Sequence, residues 1–415
     1  MQQEEFRYPP PELGPDYVAP LTHFPAQHEL LSPMMDVVVL TLAILLATWL
    51  THKKRSRRGL YVLAIASVVW FGFLREGCVC PVGSTQNVVE ALFDPRVAIG
   101  VATILFFVVP LVTTLLWGRT FCASVCPLGA IQELVLLRPT SVPKWLGAGL
   151  SLLPHVYLAL AVLYAATGGG YVICRYDPFV GVFRLGATAN MMVVGGCLLV
   201  IAVFVGRPYC RFLCPYGVLL GWASKLSWKR VTITPDACAV CRLCEASCPY
   251  DAITEPNEVA VQQKRLSGRG MLIAALALAP LLMLVLTWSG GRLGPELARA
   301  HPRVALAEQI EAEESGRVRE TTDVSDVFRA SGVTSESLQA EAQALRADYV
   351  FGGRLAGAFI GLMIVFKLIG LSIRRRRIEY EAERQDCLAC GRCFDWCPVE
   401  LELRKTGVLP EVCNP

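Results

Sequence analysis

Two cysteine runs carry the most specific chemistry in this chain. Cys238-Ala-Val-Cys241-Arg-Leu-Cys244-Glu-Ala-Ser-Cys248-Pro249 and Cys387-Leu-Ala-Cys390-Gly-Arg-Cys393-Phe-Asp-Trp-Cys397-Pro398 share one spacing, C-x2-C-x2-C-x3-C-P. Three thiolates so spaced wrap one [4Fe–4S] cube, while the fourth reaches a second cube. The spacing therefore predicts a reciprocal arrangement. One cube takes Cys238, Cys241, Cys244 and Cys397; the other takes Cys387, Cys390, Cys393 and Cys248. A zinc site would normally use two cysteine pairs separated by a longer loop, so four close cysteines argue against zinc.

A second pair of motifs lies upstream. Gly118-Arg119-Thr120-Phe121-Cys122-Ala-Ser-Val-Cys126-Pro127-Leu128-Gly129 matches Gly206-Arg207-Pro208-Tyr209-Cys210-Arg-Phe-Leu-Cys214-Pro215-Tyr216-Gly217. Each copy contributes two cysteines, and Cys122, Cys126, Cys210 and Cys214 together make a complete ligand set for a further cluster. Ahead of each copy sits a weaker match, Cys78-Val-Cys80-Pro81 in the first and Cys174-Arg-Tyr-Asp177-Pro178 in the second. Three cysteines leave one coordination position open, for Asp177 or for a residue from a partner. A disulfide among Cys78, Cys80 and Cys174 is the competing reading in an oxidising compartment.

Five Cys-Pro dipeptides, at Cys80, Cys126, Cys214, Cys248 and Cys397, share a mechanical logic. Proline is favoured as the first helical residue, so the preceding cysteine lies at a helix N-terminus. The partial positive charge there favours thiolate and an anionic cluster. Of the 17 cysteines, Cys197 and Cys413 take no part in these patterns. Cys197, lone in an apolar segment, reads as an ordinary packed or lipid-facing residue.

The elements that must position these groups are apolar. The 415 residues are 54% hydrophobic and 18% charged, with a mean hydropathy of +0.46. Soluble domains carry about 25% charge, so the balance points to lipid. A soluble enzyme, a secreted disulfide scaffold and a disordered protein are disfavoured. The net charge of +4 is small and scattered, so no nucleic-acid partner is expected.

Segments of spanning length fall near 34–50, 59–75, 97–117, 147–167, 188–206, 271–289 and 354–373, which predicts about seven transmembrane helices. The apolar stretches 128–137 and 218–226, after the Cys-Pro motifs, are too short to cross and read as half-helices re-entering the membrane. His52-Lys53-Lys54-Arg55-Ser56-Arg57-Arg58 follows the first span and Arg374 to Arg377 follow the last. Positive loops stay cytoplasmic, so the N-terminus is expected outside and the C-terminus inside a bacterial inner membrane.

The expected fold class is mainly α: a polytopic membrane protein with an internal repeat and half-helices, plus a small α+β two-cluster ferredoxin-like module split across the sequence. Residues 1–33 form a Pro-rich outside segment. Residues 34–230 form the redox core, with the Cys78–Cys126 and Cys174–Cys214 stretches as its two halves. Residues 231–270 and 374–415 supply the halves of the module, and 271–373 a transmembrane hairpin carrying an outside helical segment, 290–353.

Haem is not expected. The chain has five histidines, no C-x-x-C-H attachment sequence, and only His155 within a span. A polar group there invites a quinone-site reading of His155, against the plainer one of a packed, hydrogen-bonded residue. No acid–base dyad, nucleophile or phosphate loop is apparent, so no catalytic residue is assigned.

GRTFCASVCPLGAIQE, GRPYCRFLCPYG and the two four-cysteine runs together resemble the membrane-bound 4Fe–4S polyferredoxin family of the NosR/NapH type, over roughly residues 60–400. The resemblance implies a transmembrane electron carrier within a larger respiratory or redox complex. It would work between a cytoplasmic ferredoxin module and flavin- or haem-bearing subunits on the periplasmic side, with quinone or a cytoplasmic donor as electron source. Its cofactors would be two [4Fe–4S] clusters in the module and one or two further clusters in the membrane part, with flavin only on a partner. Two rivals are a self-contained quinol dehydrogenase and a redox-sensing or assembly factor for a periplasmic metalloenzyme.

Overall fold

The computed structural model describes residues 33–77, 79–184, 186, 188–233, 238, 240–256, 265–372 and 379–406. Among the described residues, five helices are long and apolar enough to cross a membrane, within Pro33–His52, Arg57–Leu74, Lys144–Ala166, Gly270–Ala298 and Ser335–Ser372. Val101–Trp117 and Ala189–Ala202 are shorter apolar helices at the other two expected positions. Leu42, Val62, Val112, Val193 and Leu284 turn outward from these helices, as lipid-facing side chains do. Cys197 is likewise exposed on the Ala189–Ala202 helix.

The first two spans form a tight hairpin. Ser56 caps the second helix by accepting from the Gly59 amide at 3.2 Å. At the other end of the hairpin Arg75 donates to Asp36 at 2.8 Å, so these two charges neutralise each other.

Four shorter helices pack inside the bundle: Pro81–Phe93, Pro127–Leu134, Pro178–Phe183 and Pro215–Lys225. Each begins with proline at its first position, and their N-caps are Cys80, Cys126, Asp177 and Cys214. The half-helices expected over 128–137 and 218–226 are the second and fourth of these. The largest apolar core gathers around them, with Ile44, Phe71, Val125, Phe179, Tyr209 and Leu220 buried together.

The last two spans pair through glycine. Gly290 and Gly294 on one helix face Gly353 and Gly357 on the other, so the backbones touch, and Gly361 one turn on packs against Met283. Lipid gives no hydrophobic drive to helix pairing, and small residues at four-residue spacing substitute close van der Waals contact. A methyl group at Gly357 would meet the Leu286 carbonyl, and one at Gly294 would lie 2.7 Å from the Tyr349 carbonyl. Gly357→Leu is therefore expected to destabilise the pair by about 1–3 kcal/mol or more, read as a lowered unfolding temperature in detergent.

Ser335–Ser372 is one continuous helix of 38 residues. The sequence suggests separate elements at 335–349 and 354–373, but no proline or cap intervenes. The flexible Gly352-Gly353 step stays helical because its neighbours fill the space beside it. Beyond the spans, helices Pro302–Glu314 and Asp323–Ala330 cover the extension of this helix around Val304, Ile310, Phe328 and Tyr349.

The two four-cysteine runs meet at the other end. Ile253–Thr254 and Glu381–Ala382 form a two-stranded antiparallel sheet, with Ile253 opposite Ala382. Helices Leu243–Ser247 and Arg392–Trp396 pack against each other, over a small core of Ile233, Ile253, Tyr380 and Val399.

Candidate metal centres

The two runs adopt the same backbone. Val240 and Ala389, at equivalent positions, have φ of 47° and 54°, and Arg242 and Gly391 have φ of 64° and 75°. Left-handed residues alternating with right-handed ones turn successive N–H groups into a concave nest for an anion, the form used around iron–sulfur clusters. Three of these four residues are not glycine, so the conformation costs of order 1–3 kcal/mol at each. Such strain is a feature of sites whose geometry serves function.

Cys244 lies within electrostatic reach of Cys238, Cys241 and Cys397. Cys393 lies within reach of Cys387, Cys390 and Cys248. Each group of four thus draws three members from one run and one from the other. Burial pushes the Cys387 thiol up to about 12, and the Cys244 and Cys390 thiols up to about 11. Left alone at neutral pH they would stay protonated, whereas coordinated iron stabilises the thiolate directly.

Cys122, Cys126, Cys210 and Cys214 form a third group, each within electrostatic reach of the others. Glycine makes the space: a Cβ at Gly129 would lie 3.4 Å from the Cys210 sulfur, and one at Gly217 would lie 3.5 Å from the Cys214 Cβ. Cys214 caps its helix by accepting from the Gly217 amide at 3.3 Å. Gln132 donates from Nε2 toward the Cys210 sulfur at 3.6 Å, and its Oε1 accepts from the Tyr209 amide at 3.0 Å.

Two buried arginines, equivalent in the repeat, flank this group. Arg119 Nη2 stands 3.9 Å from the Cys122 sulfur, while its Nε is buried with no partner among the described residues. Arg207 crosses to the first copy, where it donates to the Cys122 and Ala123 carbonyls. Two permanent cations beside four cysteines fit an anionic iron–thiolate group. Among the described residues, no three His, Cys, Asp or Glu side chains converge on one point as a single metal ion would require. The thiolates of a cube each bind a different iron and so stand apart.

Glu133 ties the membrane part to the four-cysteine runs. It accepts from Arg57 and Arg392 on Oε1, both at 3.3 Å, and from Arg207 at 3.2 Å and Tyr250 on Oε2. Burial opposes its charge, yet Arg207, Arg392 and the Tyr250 hydroxyl outweigh it and hold the carboxyl down to about 2. Glu133 therefore stays ionised across the physiological range. The repeat equivalent of Glu133 is Gly221, and here Gln385 packs into the space, 3.2 Å from where a Cβ would stand. Arg119 donates to the Gln385 carbonyl at 2.9 Å, and Ser224 to the Arg384 carbonyl at 2.6 Å. Arg55 completes the seam, pairing with Glu400 at 2.8 Å and stacking 4.2 Å over the Phe394 ring.

Toward the opposite end, Cys80 lies within electrostatic reach of both Asp177 and Cys174. No disulfide joins Cys80 to Cys174. Asp177 is buried and caps its helix, with Oδ1 accepting from the Phe179 and Val180 amides at 2.9 and 3.2 Å. Its Oδ2 accepts from the Tyr209 hydroxyl. Cys78 and Cys413 lie outside the described residues.

Comparison with known proteins bears on the repeat. The family model for a 4Fe-4S binding domain matches twice, over residues 99–144 and 188–233, which are the two copies carrying Cys122/Cys126 and Cys210/Cys214. YccM of Escherichia coli, provisionally named an electron transport protein, is 29% identical over 187 residues, 41% of this chain and 52% of YccM. NirI of Paracoccus denitrificans is 32% identical over 164 residues, 35% of this chain and 24% of NirI. The regulatory protein NosR of Pseudomonas aeruginosa is 30% identical over 241 residues, 53% of this chain and 33% of NosR. The chain is thus similar to membrane-associated 4Fe–4S electron transport proteins of the NosR/NapH type. It spans about half the length of YccM and less of the other two. No solved structure matches it.

His155 is buried but stands apart from the cysteine groups. Its Nδ1 lies 3.0 Å from the Ser151 carbonyl, and its ring sits 6.2 Å from Trp222 and 6.4 Å from Phe359. Sequence reasoning missed Arg119, Gln132, Glu133, Arg207 and Tyr250. The signal for the two arginines and for Gln132 was present, because they recur at fixed offsets from the Cys-Pro motifs.

Proposed function

We propose that the chain carries electrons through iron–sulfur clusters between a cytoplasmic ferredoxin-like module and redox partners on the periplasmic side of a bacterial inner membrane. The observation that carries this reading is the grouping of twelve cysteines into three sets of four, joined across one buried seam. Cys238, Cys241, Cys244 and Cys397 would hold one module cluster, and Cys387, Cys390, Cys393 and Cys248 the other. Cys122, Cys126, Cys210 and Cys214 would hold a third, inside the bundle. When bound, the clusters supply one-electron redox chemistry.

Contacts made by this chain's own residues support that order of the sets. Glu133 contacts Arg207 beside the membrane set and Arg392 beside Cys390 and Cys393, so one carboxylate touches both neighbourhoods. Arg119 makes the second bridge, from the Cys122 sulfur to the Gln385 carbonyl, two residues before Cys387. Glu133 and Arg207 at the centre of the seam are buried, which lowers the local dielectric along the path. Substrate chemistry belongs to partners, bearing flavin or haem, docked beyond the membrane part.

Iron and acid-labile sulfide assay, combined with low-temperature EPR of the reduced protein, tests this. The expected result is two interacting module clusters plus at least one further centre. Iron for two clusters alone, about eight atoms per chain, would restrict metal to the module and overturn a path through the membrane.

A further inference from the structure

The loop and helix that follow the second span repeat the geometry of the four-cysteine set, outside the region matched by the 4Fe-4S family model. Cys80-Pro81-Val-Gly83-Ser-Thr-Gln86 and Cys126-Pro127-Leu-Gly129-Ala-Ile-Gln132 share the pattern C-P-x-G-x-x-Q. In both, the cysteine is the N-cap and the proline the first helical residue.

The partner segments correspond too. A Cβ at Gly129 would lie 3.4 Å from the Cys210 sulfur; one at Gly83 would lie 3.1 Å from the Cys174 sulfur. Gln132 Oε1 accepts from the amide of Tyr209, the residue before Cys210, at 3.0 Å. Gln86 Oε1 accepts from the amide of Ile173, the residue before Cys174, at 2.8 Å. The short segment then ends in an N-cap before proline, Cys214 in one case and Asp177 in the other.

The two sites differ in one telling atom. Gln132 Nε2 reaches the Leu128 carbonyl at 2.6 Å and the Cys210 sulfur at 3.6 Å. Gln86 is 1% exposed, and its Nε2 has no hydrogen-bond partner among the described residues. A buried amide donor left without an acceptor costs about 1–3 kcal/mol, so its retention calls for an acceptor that binds there.

We propose that Cys80, Cys174 and Asp177 supply three ligands of a further iron–sulfur cluster, built on the plan of the four-cysteine set, with the Gln86 amide donating to its sulfur. Asp177 takes the place of the fourth thiolate. A carboxylate offers about four lone-pair positions, and Asp177 uses three of them, on the Phe179 and Val180 amides and the Tyr209 hydroxyl. One position stays open for iron. Tyr209 places the two sites one side chain apart, since its amide is held by Gln132 and its hydroxyl by Asp177. The proposal rests on the electron-carrier reading and extends it to the end of the bundle remote from the module.

The test uses the full-length protein in detergent. Cys80→Ala/Cys174→Ala is expected to lose one cluster's worth of iron and sulfide and one EPR signal, with the module and Cys122-set signals unchanged. Asp177→Cys should retain the iron and alter the spectrum of that same centre alone. Gln86→Leu preserves the packing of the side-chain stem; by removing a hydrogen bond that favours the more negative reduced state, it should move that centre to lower potential. Unchanged iron and spectra in the double variant, or a Cys80–Cys174 disulfide found in the native protein by mass mapping, overturn the site. Should the double variant fail to fold, an unmoved potential in Gln86→Leu together with an unchanged spectrum in Asp177→Cys does so. Absence of the module and Cys122-set signals from the unmodified protein would instead sink the carrier reading itself.

Discussion

Cys122→Ala is expected to abolish one iron–sulfur centre and stop electron passage through the membrane part, while both module clusters survive. Cys122 is buried at the junction of the two repeat copies, with Arg119 on its sulfur and Arg207 on its carbonyl. Removing its thiolate leaves three cysteines facing two buried cations, a set that neither closes a cube nor balances charge. The module should be spared because Arg119 reaches it through the Gln385 carbonyl, a contact that does not involve the Cys122 side chain. Iron per chain should fall by about four atoms, and reduction of one end by a donor at the other should drop to that of cluster-free protein. If the variant keeps its full iron and its EPR signals, the four cysteines are not a ligand set.

The second large effect is expected at Glu133. Glu133→Gln keeps the shape of the side chain but leaves Arg57, Arg207 and Arg392 facing one another without their shared anion. Removing one partner of a buried ion pair costs about 3–5 kcal/mol. This carboxylate serves three guanidiniums and the Tyr250 hydroxyl at once. The loss should appear as a lower unfolding temperature and as weakened magnetic interaction between the module clusters and the centre in the bundle. Gly221→Leu probes the other half of the seam, because the added side chain occupies the space Gln385 fills. It should weaken the same interaction without touching any charge. If neither variant changes the interaction, the seam does not set the spacing between clusters.

The repeat explains how one bundle can hold the module on a single face. At Arg119/Arg207 and the Cys-Pro pairs the copies agree, and these positions line the four-cysteine set. At Glu133/Gly221 they diverge, and both members of that pair meet the 379–406 segment. Identity at the arginines and cysteines serves the four-cysteine set, while the divergent pair serves docking. Gly206, although it matches Gly118, is a docking position too, where a Cβ would lie 2.6 Å from the Pro249 carbonyl. Closeness there admits only glycine.

Much of this was readable from the chain because it depends on short-range spacing. A C-x2-C-x2-C-x3-C-P run determines a loop that wraps a cube, wherever the loop ends up. Apolar runs determine which segments can enter lipid, since every backbone polar group there must be satisfied internally. A Cys-Pro dipeptide fixes a helix start, because proline lacks the amide that the first turn leaves unused. Hence the cysteine runs, the apolar segments, the half-helices after Cys126 and Cys214 and the family likeness were legible without coordinates.

Only the tertiary structure decided what surrounds the cysteines. Glu133, Arg207, Tyr250 and Arg392 are separated by up to 259 residues; the recurrence of Arg119 and Arg207 marks the arginines as special, but nothing local signals that these groups form a buried ion cluster. A buried charge is tolerated only when its partners arrive from other segments, so its role is set by packing and not by its neighbours in sequence. Gln86 and Gly83 belong to the same class. Their pattern is written beside Cys80, but its meaning required the segment around Cys174 to fold back against it. The sequence determined where cysteines could bind metal, and the packing decided which of them share a site and which charges hold those sites together.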